Sequence, residues 1–419
     1  MKASYILFCV FIFSVTTDLN NLLSIANKSA GFLSPVFIGL LIIFLYYSFK
    51  YNIKVDKHTK TLLILFGLWF TYGSILNIGR PQGFEHTTDR FRYYLPSILY
   101  LFSVSLMFTR FFKEGKFLNL MRIITFALVL NSIVITLTSL GYVISIVNTD
   151  RGSDDRIGGL FDSVNQAGVV SSFAQIFCLF FVLIEVKPIR KIMYYTMYFV
   201  SLSAAVLTFS KGAFLYSIVI GVGFLYFQTF KADKKAVNSK VTQYLLLICI
   251  IIAGAFAFKQ MFSNREYSKN QTQRIDQFTR LLGGEVSAET TTNRSKIGGT
   301  AISLMENDAF MGRGLGSFHA IPELGGLGTH DTYLLILGEI GVVGLFILLL
   351  YYFGLWWASF RLRPNSYSFL CLGIITVLMI ASFASHNIFY VKLYIMMFAL
   401  LNSVNSYIKA NGVKNILNQ

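Results

Sequence analysis

The sequence predicts an all-α polytopic membrane protein of about twelve transmembrane helices, with one large outer loop that contains short helices. Three observations predict it. Of 419 residues, 55% are hydrophobic and only 13% charged, and the apolar runs approach the roughly 20 residues that a helix needs to cross a bilayer. The basic residues fall unevenly between alternate connections. One long polar interval, Lys259 to Gly344, interrupts a chain otherwise made of apolar runs and short turns. These features describe one transmembrane domain over 1–419 rather than several soluble ones.

In chain order the expected spans lie near 4–24, 31–49, 61–79, 93–109, 122–147, 164–184, 192–208, 212–229, 241–258, 332–353, 367–385 and 388–406. The first carries a lysine ahead of its apolar run, as a signal peptide does. No small-residue cleavage site follows, so it reads as a span. Cys9, Cys178, Cys249 and Cys371 all sit inside apolar runs without metal-ligand spacing and read as small buried hydrophobes. With twelve spans both termini share a side. The connections on that side carry twenty basic residues against four acids, and the remainder of the chain carries sixteen of each. The whole net charge of +16 therefore belongs to one face. By the positive-inside rule that face is cytoplasmic, so the charge is a topology signal and gives no support to nucleic-acid binding. The loop 259–331, between the ninth and tenth spans, is placed outside.

Polar chemistry gathers in four outer segments. Gly79–Tyr93 carries Arg90 and Arg92, and Val147–Asn165 carries Arg151 and Arg156. The turn Phe209–Gly212 joins two apolar runs through Lys211. The long loop begins with a polar helix, Arg265 to Leu282. Its second part spaces Ile297, Ala301, Leu304 and Met305 as an amphipathic helix on the membrane face, ended by the turn MGRGLG.

His330 directly precedes Asp331 and Thr332, good cap residues for the span that follows. A neutral imidazole there could take a proton from a hydroxyl or orient it; the plainer alternative is a histidine that only supports its own cap. His386 is its rival at another helix end. Arg90, Arg92, Arg156, Lys211 and Arg294 are cations suited to phosphate oxygens, with arginine offering a bidentate fork. The alternative is that each balances a nearby acid, such as Asp89 or Asp154. Glu339 lies about 10 Å along its helix from Thr332, taking 1.5 Å per residue. An acid at that depth calls for a partner, with Lys211 or Arg156 as candidates. Gly338, Gly341 and Gly344 on that helix suggest close packing. The sequence contains no phosphate-binding glycine loop, zinc spacing or paired-aspartate motif, so neither a metal nor a cofactor is expected.

Four segments, taken in order, resemble the O-antigen ligase/polymerase superfamily of Wzy polymerases and WaaL ligases. They are RIGGLFDSVNQAG (Arg156 to Gly168), LTFSKGAFL (Leu207 to Leu215), NRSKIGGTAISLMENDAFMGRGLGSF (Asn293 to Phe318) and THDTYLLILGEIGVVG (Thr329 to Gly344). The resemblance implies a GT-C-like membrane glycosyltransferase of the bacterial inner membrane, with its site on the periplasmic face. By it, His330 is the catalytic histidine, and Arg156, Lys211 and Arg294 hold the pyrophosphate of an undecaprenyl-pyrophosphate-linked donor. Arg90, Arg92, Asp331 and Glu339 support them. The implied partners are lipid-linked donor and acceptor, membrane lipids and a chain-length-regulating co-polymerase. Lys211 stands where the family has arginine. Asp331 follows the histidine where ligases tend to have Asn, Ser or Gln, which favours the polymerase over a ligase acting on lipid A-core. A lipid-linked-oligosaccharide flippase is the alternative from another class.

Overall fold

The computed structural model describes residues 2–19, 33–78, 83–142, 157–161, 163–230, 272–273, 276–277, 280, 294–305, 308–318, 328–362, 365–385 and 388–411. The expected span 241–258, most of the expected helix Arg265 to Leu282, and Arg151, Arg156, Cys249 and His386 lie outside them. Among the described residues the chain is all-helical, and seven helices are long and apolar enough to cross a membrane. It is a membrane protein.

The chain divides into two compact units, one of residues 1–124 and 280–419, the other of residues 125–279. The first unit holds α1 (Lys2–Thr16), α2 (Leu33–Lys50), α3 (Lys57–Leu76) and α4 (Gly83–Lys113). The second begins within α5 (Phe117–Ser139) and continues through α6 (Val164–Ile184), α7 (Pro188–Leu207) and α8 (Lys211–Phe230). The chain then returns to the first unit with α9 (Arg294–Met305), α10 (Thr332–Phe360), α11 (Asn365–Ala384) and α12 (Lys392–Asn411).

In the second unit α6 is apolar all round and buried along nearly its whole length, as a central helix must be. Both α7 and α8 pack on it. α7 starts with Pro188 in its first turn, where the missing N–H has no intrahelical partner to lose. Cys178 on α6 is buried, as expected for a small hydrophobe, as is Cys371 on α11.

In the first unit α12 runs along α4, and α10 packs on α3 and α11. Rings of Phe8, Phe44, Phe108 and Phe111 join α1, α2 and α4, with Phe8 meeting Phe44 edge-on at 5.5 Å and Phe108 at 5.2 Å. Such pairs contribute about 0.5–1.5 kcal/mol each beyond their burial. Asp56 caps α3 by accepting from the Thr59 amide at 2.8 Å and its hydroxyl at 2.6 Å, and Ser105 of α4 donates to the same carboxylate at 2.8 Å. Asn402 of α12 reaches Thr59 at 3.3 Å and accepts from Tyr351 of α10 at 3.1 Å. Four helices are thus tied at the Lys57 end of α3.

Several expected boundaries move: the first helix ends at Thr16 rather than near 24, and the span expected at 122–147 is the helix Phe117–Ser139. The span expected at 93–109 belongs to a helix that starts at Gly83 and runs through Pro96. Arg90 and Arg92 therefore sit on a helix rather than in a loop. The span expected at 332–353 is not one straight helix, and that difference shapes the site.

Candidate functional site

α10 is broken at Gly341, whose φ of 72° and ψ of −172° are far from helical. Tyr333 and Tyr352 lie on opposite sides of the break with ring centroids 6.1 Å apart. Nineteen residues of straight helix would separate them by about 28 Å. The arm Thr332–Ile340 therefore folds back beside the second arm, Val342–Phe360. Tyr352 hydrogen-bonds Ser382 at 2.9 Å, and Tyr333 donates to the Met379 carbonyl of the same neighbour, α11, at 2.8 Å. Gly341 does more than the close packing expected of it: its backbone is one that only glycine adopts readily.

A break of this kind frees backbone polar groups, which are tolerated among lipid-spanning helices only where protein or a cavity covers them. Here a strap, Asp308–Phe318, covers them. The Arg313 amide donates to the Gly338 carbonyl at 2.7 Å, and the Gly314 amide to that of Glu339 at 3.0 Å. The Val342 amide donates to Ala309 at 3.0 Å. On its other side the strap is fixed to α3: the Leu315 amide donates to Gly73 at 3.0 Å, and Asn77 donates to the Leu315 carbonyl at 2.8 Å. A Cβ on Gly312 would stand 2.6 Å from the Glu339 carbonyl and one on Gly314 would meet the Asn77 side chain, so neither position has room for a side chain.

Glu339 is fully buried beneath the strap. Its Oε2 accepts from the Trp69 indole N–H at 2.9 Å and its Oε1 from the Gly316 amide at 2.9 Å; the Phe318 amide is a further donor. Arg90 lies close enough for its charge to act on Glu339, and it hydrogen-bonds with Tyr390. Tyr390 donates in turn to the Tyr94 hydroxyl at 2.6 Å. The partners of Glu339 are thus Trp69, the strap and Arg90. Of the partners expected for this acid, Arg156 lies outside the described residues and Lys211 belongs to the second unit.

His330 lies just ahead of the folded-back arm. Its φ of +52° is left-handed, an uncommon setting for a residue with a side chain and one in which histidine is enriched. It is half-buried. Asp331 caps the arm as expected, its Oδ1 accepting from the Tyr333 amide at 2.8 Å and the Leu334 amide at 3.1 Å. Thr332 donates to the Ser385 carbonyl at the end of α11. Gly298 of α9 comes against Leu334 of the arm, so the helix that begins at Arg294 packs beside the helix that begins after His330. α9 buries Ala301 and Met305 in protein and exposes Ile302. Its apolar side serves docking within the fold as well as any membrane face. The side chain of Arg294 is outside those described.

Arg92 and Lys211 are the remaining described candidates. Arg92 is 75% exposed and pairs at 3.8 Å with Asp89, itself 53% exposed. Such pairs contribute about 0.2–1 kcal/mol, so Arg92→Gln is expected to leave the thermal unfolding midpoint and activity essentially unchanged. A marked loss of activity in that variant would give Arg92 a role the structure does not. Lys211 belongs to the second unit, where it opens α8 after the turn Thr208–Ser210; there Ser210 reaches Asn165 at 3.3 Å. In that unit the segment Ile157–Phe161 tucks onto α5, the Leu160 amide donating to Asn131 at 2.8 Å.

Sequence reasoning missed Trp69, Tyr94, Tyr390 and the strap's path. Two signals were available. Glycine at every second position over 312–316 signals repeated backbone at positive φ, as observed. A tryptophan and a glutamate, each inside an apolar run, are a donor and an acceptor that both need satisfying.

No protein-family model matches the chain, and no curated protein matches it.

Proposed function

We propose that the chain is a glycosyltransferase of the bacterial inner membrane that polymerises undecaprenyl-pyrophosphate-linked oligosaccharides at the periplasmic face. The observation that carries the reading is His330, half-buried in left-handed backbone at the head of a folded-back helix, with the Arg294 helix packed on that same arm. In this reading both termini are cytoplasmic and the chain crosses the membrane about twelve times, as the uneven basic charge suggests.

The chemistry follows from the local charges. Asp331 occupies the first amides of the arm. The end of the helix beside His330 is therefore a poor seat for an anion, which would need those amides. It suits a neutral acceptor hydroxyl. His330 takes the proton of that hydroxyl while its oxygen bonds to the anomeric carbon of the donor. The bond from that carbon to the pyrophosphate breaks, and the pyrophosphate leaves with the electron pair, giving inversion. Arg294 neutralises the leaving charge, a role that requires no metal; Arg156 and Lys211 are given that role by the family resemblance alone. With another lipid-linked oligosaccharide as acceptor the product is a longer chain; with lipid A-core it is the ligase product.

One observation favours a second reading. Broken helices are a feature of transporters, where a free half-helix N-terminus faces an anionic substrate. Here Asp331 fills that terminus, which favours the enzyme. Purified protein in vesicles with lipid-linked oligosaccharide decides between them: the enzyme lengthens the glycan and releases polyprenyl pyrophosphate. Movement of intact donor across the bilayer without any new glycosidic bond would establish the flippase instead.

A further inference from the structure

We infer that Glu339 is the positioning residue for His330, acting as a clamp that holds the strap Asp308–Phe318 in the break of α10. The inference rests on the reading of His330 given above. Three elements meet at this one carboxylate. It belongs to the folded-back arm, it accepts from Trp69 of α3 at 2.9 Å, and it accepts from Gly316 of the strap at 2.9 Å.

The strap needs such an anchor. Gly312, Gly314 and Gly316 all have positive φ, between 84° and 91°. Glycine loses more conformational freedom on ordering than any other residue, so a strap built on three of them has little order of its own. Lifting it would strand the carbonyls of Gly338 and Glu339, which it covers. The arm is nine residues long and helical, so it moves as a rod. Its one end is held by Glu339, and its other begins at the Asp331 cap beside His330. About 10 Å of helix separates Glu339 from Thr332, the first residue of the arm, two residues after His330. A change in how the Glu339 end is seated therefore turns the His330 end.

The site also explains why the residue is an acid. Two N–H donors from different elements converge on its two oxygens, and the residue is fully buried. A glutamine offers one oxygen and one NH₂, so either Trp69 or Gly316 would face a donor.

The test is Glu339→Gln in the full chain, read by hydrogen exchange and by kinetics. Amides of 312–316 are expected to exchange about tenfold faster, as for loss of one buried hydrogen bond. Amides of α4 and α12, in the same unit as Glu339, stay protected and report that the fold survives. The kcat for glycan extension is expected to fall about 100-fold with KM little changed, the signature of a misplaced catalytic group. Glu339→Asp, which keeps both oxygens, restores part of the protection and part of the rate. Where Glu339→Gln fails to fold, Trp69→Phe removes one donor from the same carboxylate and is read in the same two ways. Unaltered exchange over 312–316 overturns the clamp, and faster exchange with an unaltered kcat overturns the positioning role. A His330→Ala chain that still extends glycan at the parent rate overturns the enzymatic reading itself, whatever the strap does.

Discussion

Replacing His330 by alanine is expected to lower glycan extension about 10²–10⁴-fold, the range that a positioned general base contributes. The loss should fall on kcat, because the imidazole acts on the acceptor proton as the new bond forms. The cap that follows is built from the Asp331 carboxylate and the amides of Tyr333 and Leu334, none of which the substitution removes. The variant should therefore fold. Alanine keeps the Cβ and so gains nothing at φ +52°, where histidine is the more usual residue. His58→Ala is the matched control. His58 stands beside the Asp56 cap at the opposite end of α3 from the strap. That variant should extend glycan as the parent does. Similar rates from the two variants would take His330 out of the chemistry.

The second large effect is on folding. Gly341→Ala is expected to destabilise the protein by at least about 3 kcal/mol, because its backbone conformation is one that essentially only glycine occupies. Its Cβ would also stand 2.1 Å from the Phe310 carbonyl oxygen. The clashing atoms, of Phe310 and Met311, are all backbone, so neither a rotamer change nor a small shift relieves the contact. Gly354 lies on the same helix with nothing within 4 Å of a built Cβ. Gly354→Ala should be neutral or stabilise by up to about 1 kcal/mol through helix propensity. Thermal unfolding in one detergent compares the two. Equal midpoints would mean that the break is not required.

How much of this was legible depended on how local the cause was. Helices such as Val164–Ile184 matched their expected spans because hydropathy over twenty residues is a local property. The Asp331 cap was readable for the same reason, since cap and helix are neighbours in sequence. Arg90 and Arg92 were placed in a loop because their polar surroundings hid a helix that continues beyond the apolar run to Gly83. The break at Gly341 was hidden because Gly338, Gly341 and Gly344 read alike as close-packing glycines in one long, largely apolar run, and nothing local singles out Gly341. Only the strap, which arrives from about 30 residues earlier, makes the folded-back arm tenable. The partner of Glu339 was the hardest to read. Trp69 is 270 positions away, and no periodicity links the two. A buried acid announces that it needs donors without saying which element supplies them.

The polar ties at the Lys57 end of α3 bear on how the molecule is made. α12 buries Asn402, Ser403 and Asn405, and it is not among the helices apolar enough to qualify as spans by composition. Its amides are satisfied by Thr59, Tyr351 and Ser359. Thr59 is synthesised 343 residues before Asn402. Such a segment gains little from lipid alone and must find its hydrogen-bonding neighbours already in place. The hydrogen bonds that tie Asn402 to the Asp56 cluster can therefore close only once the last helix has been made.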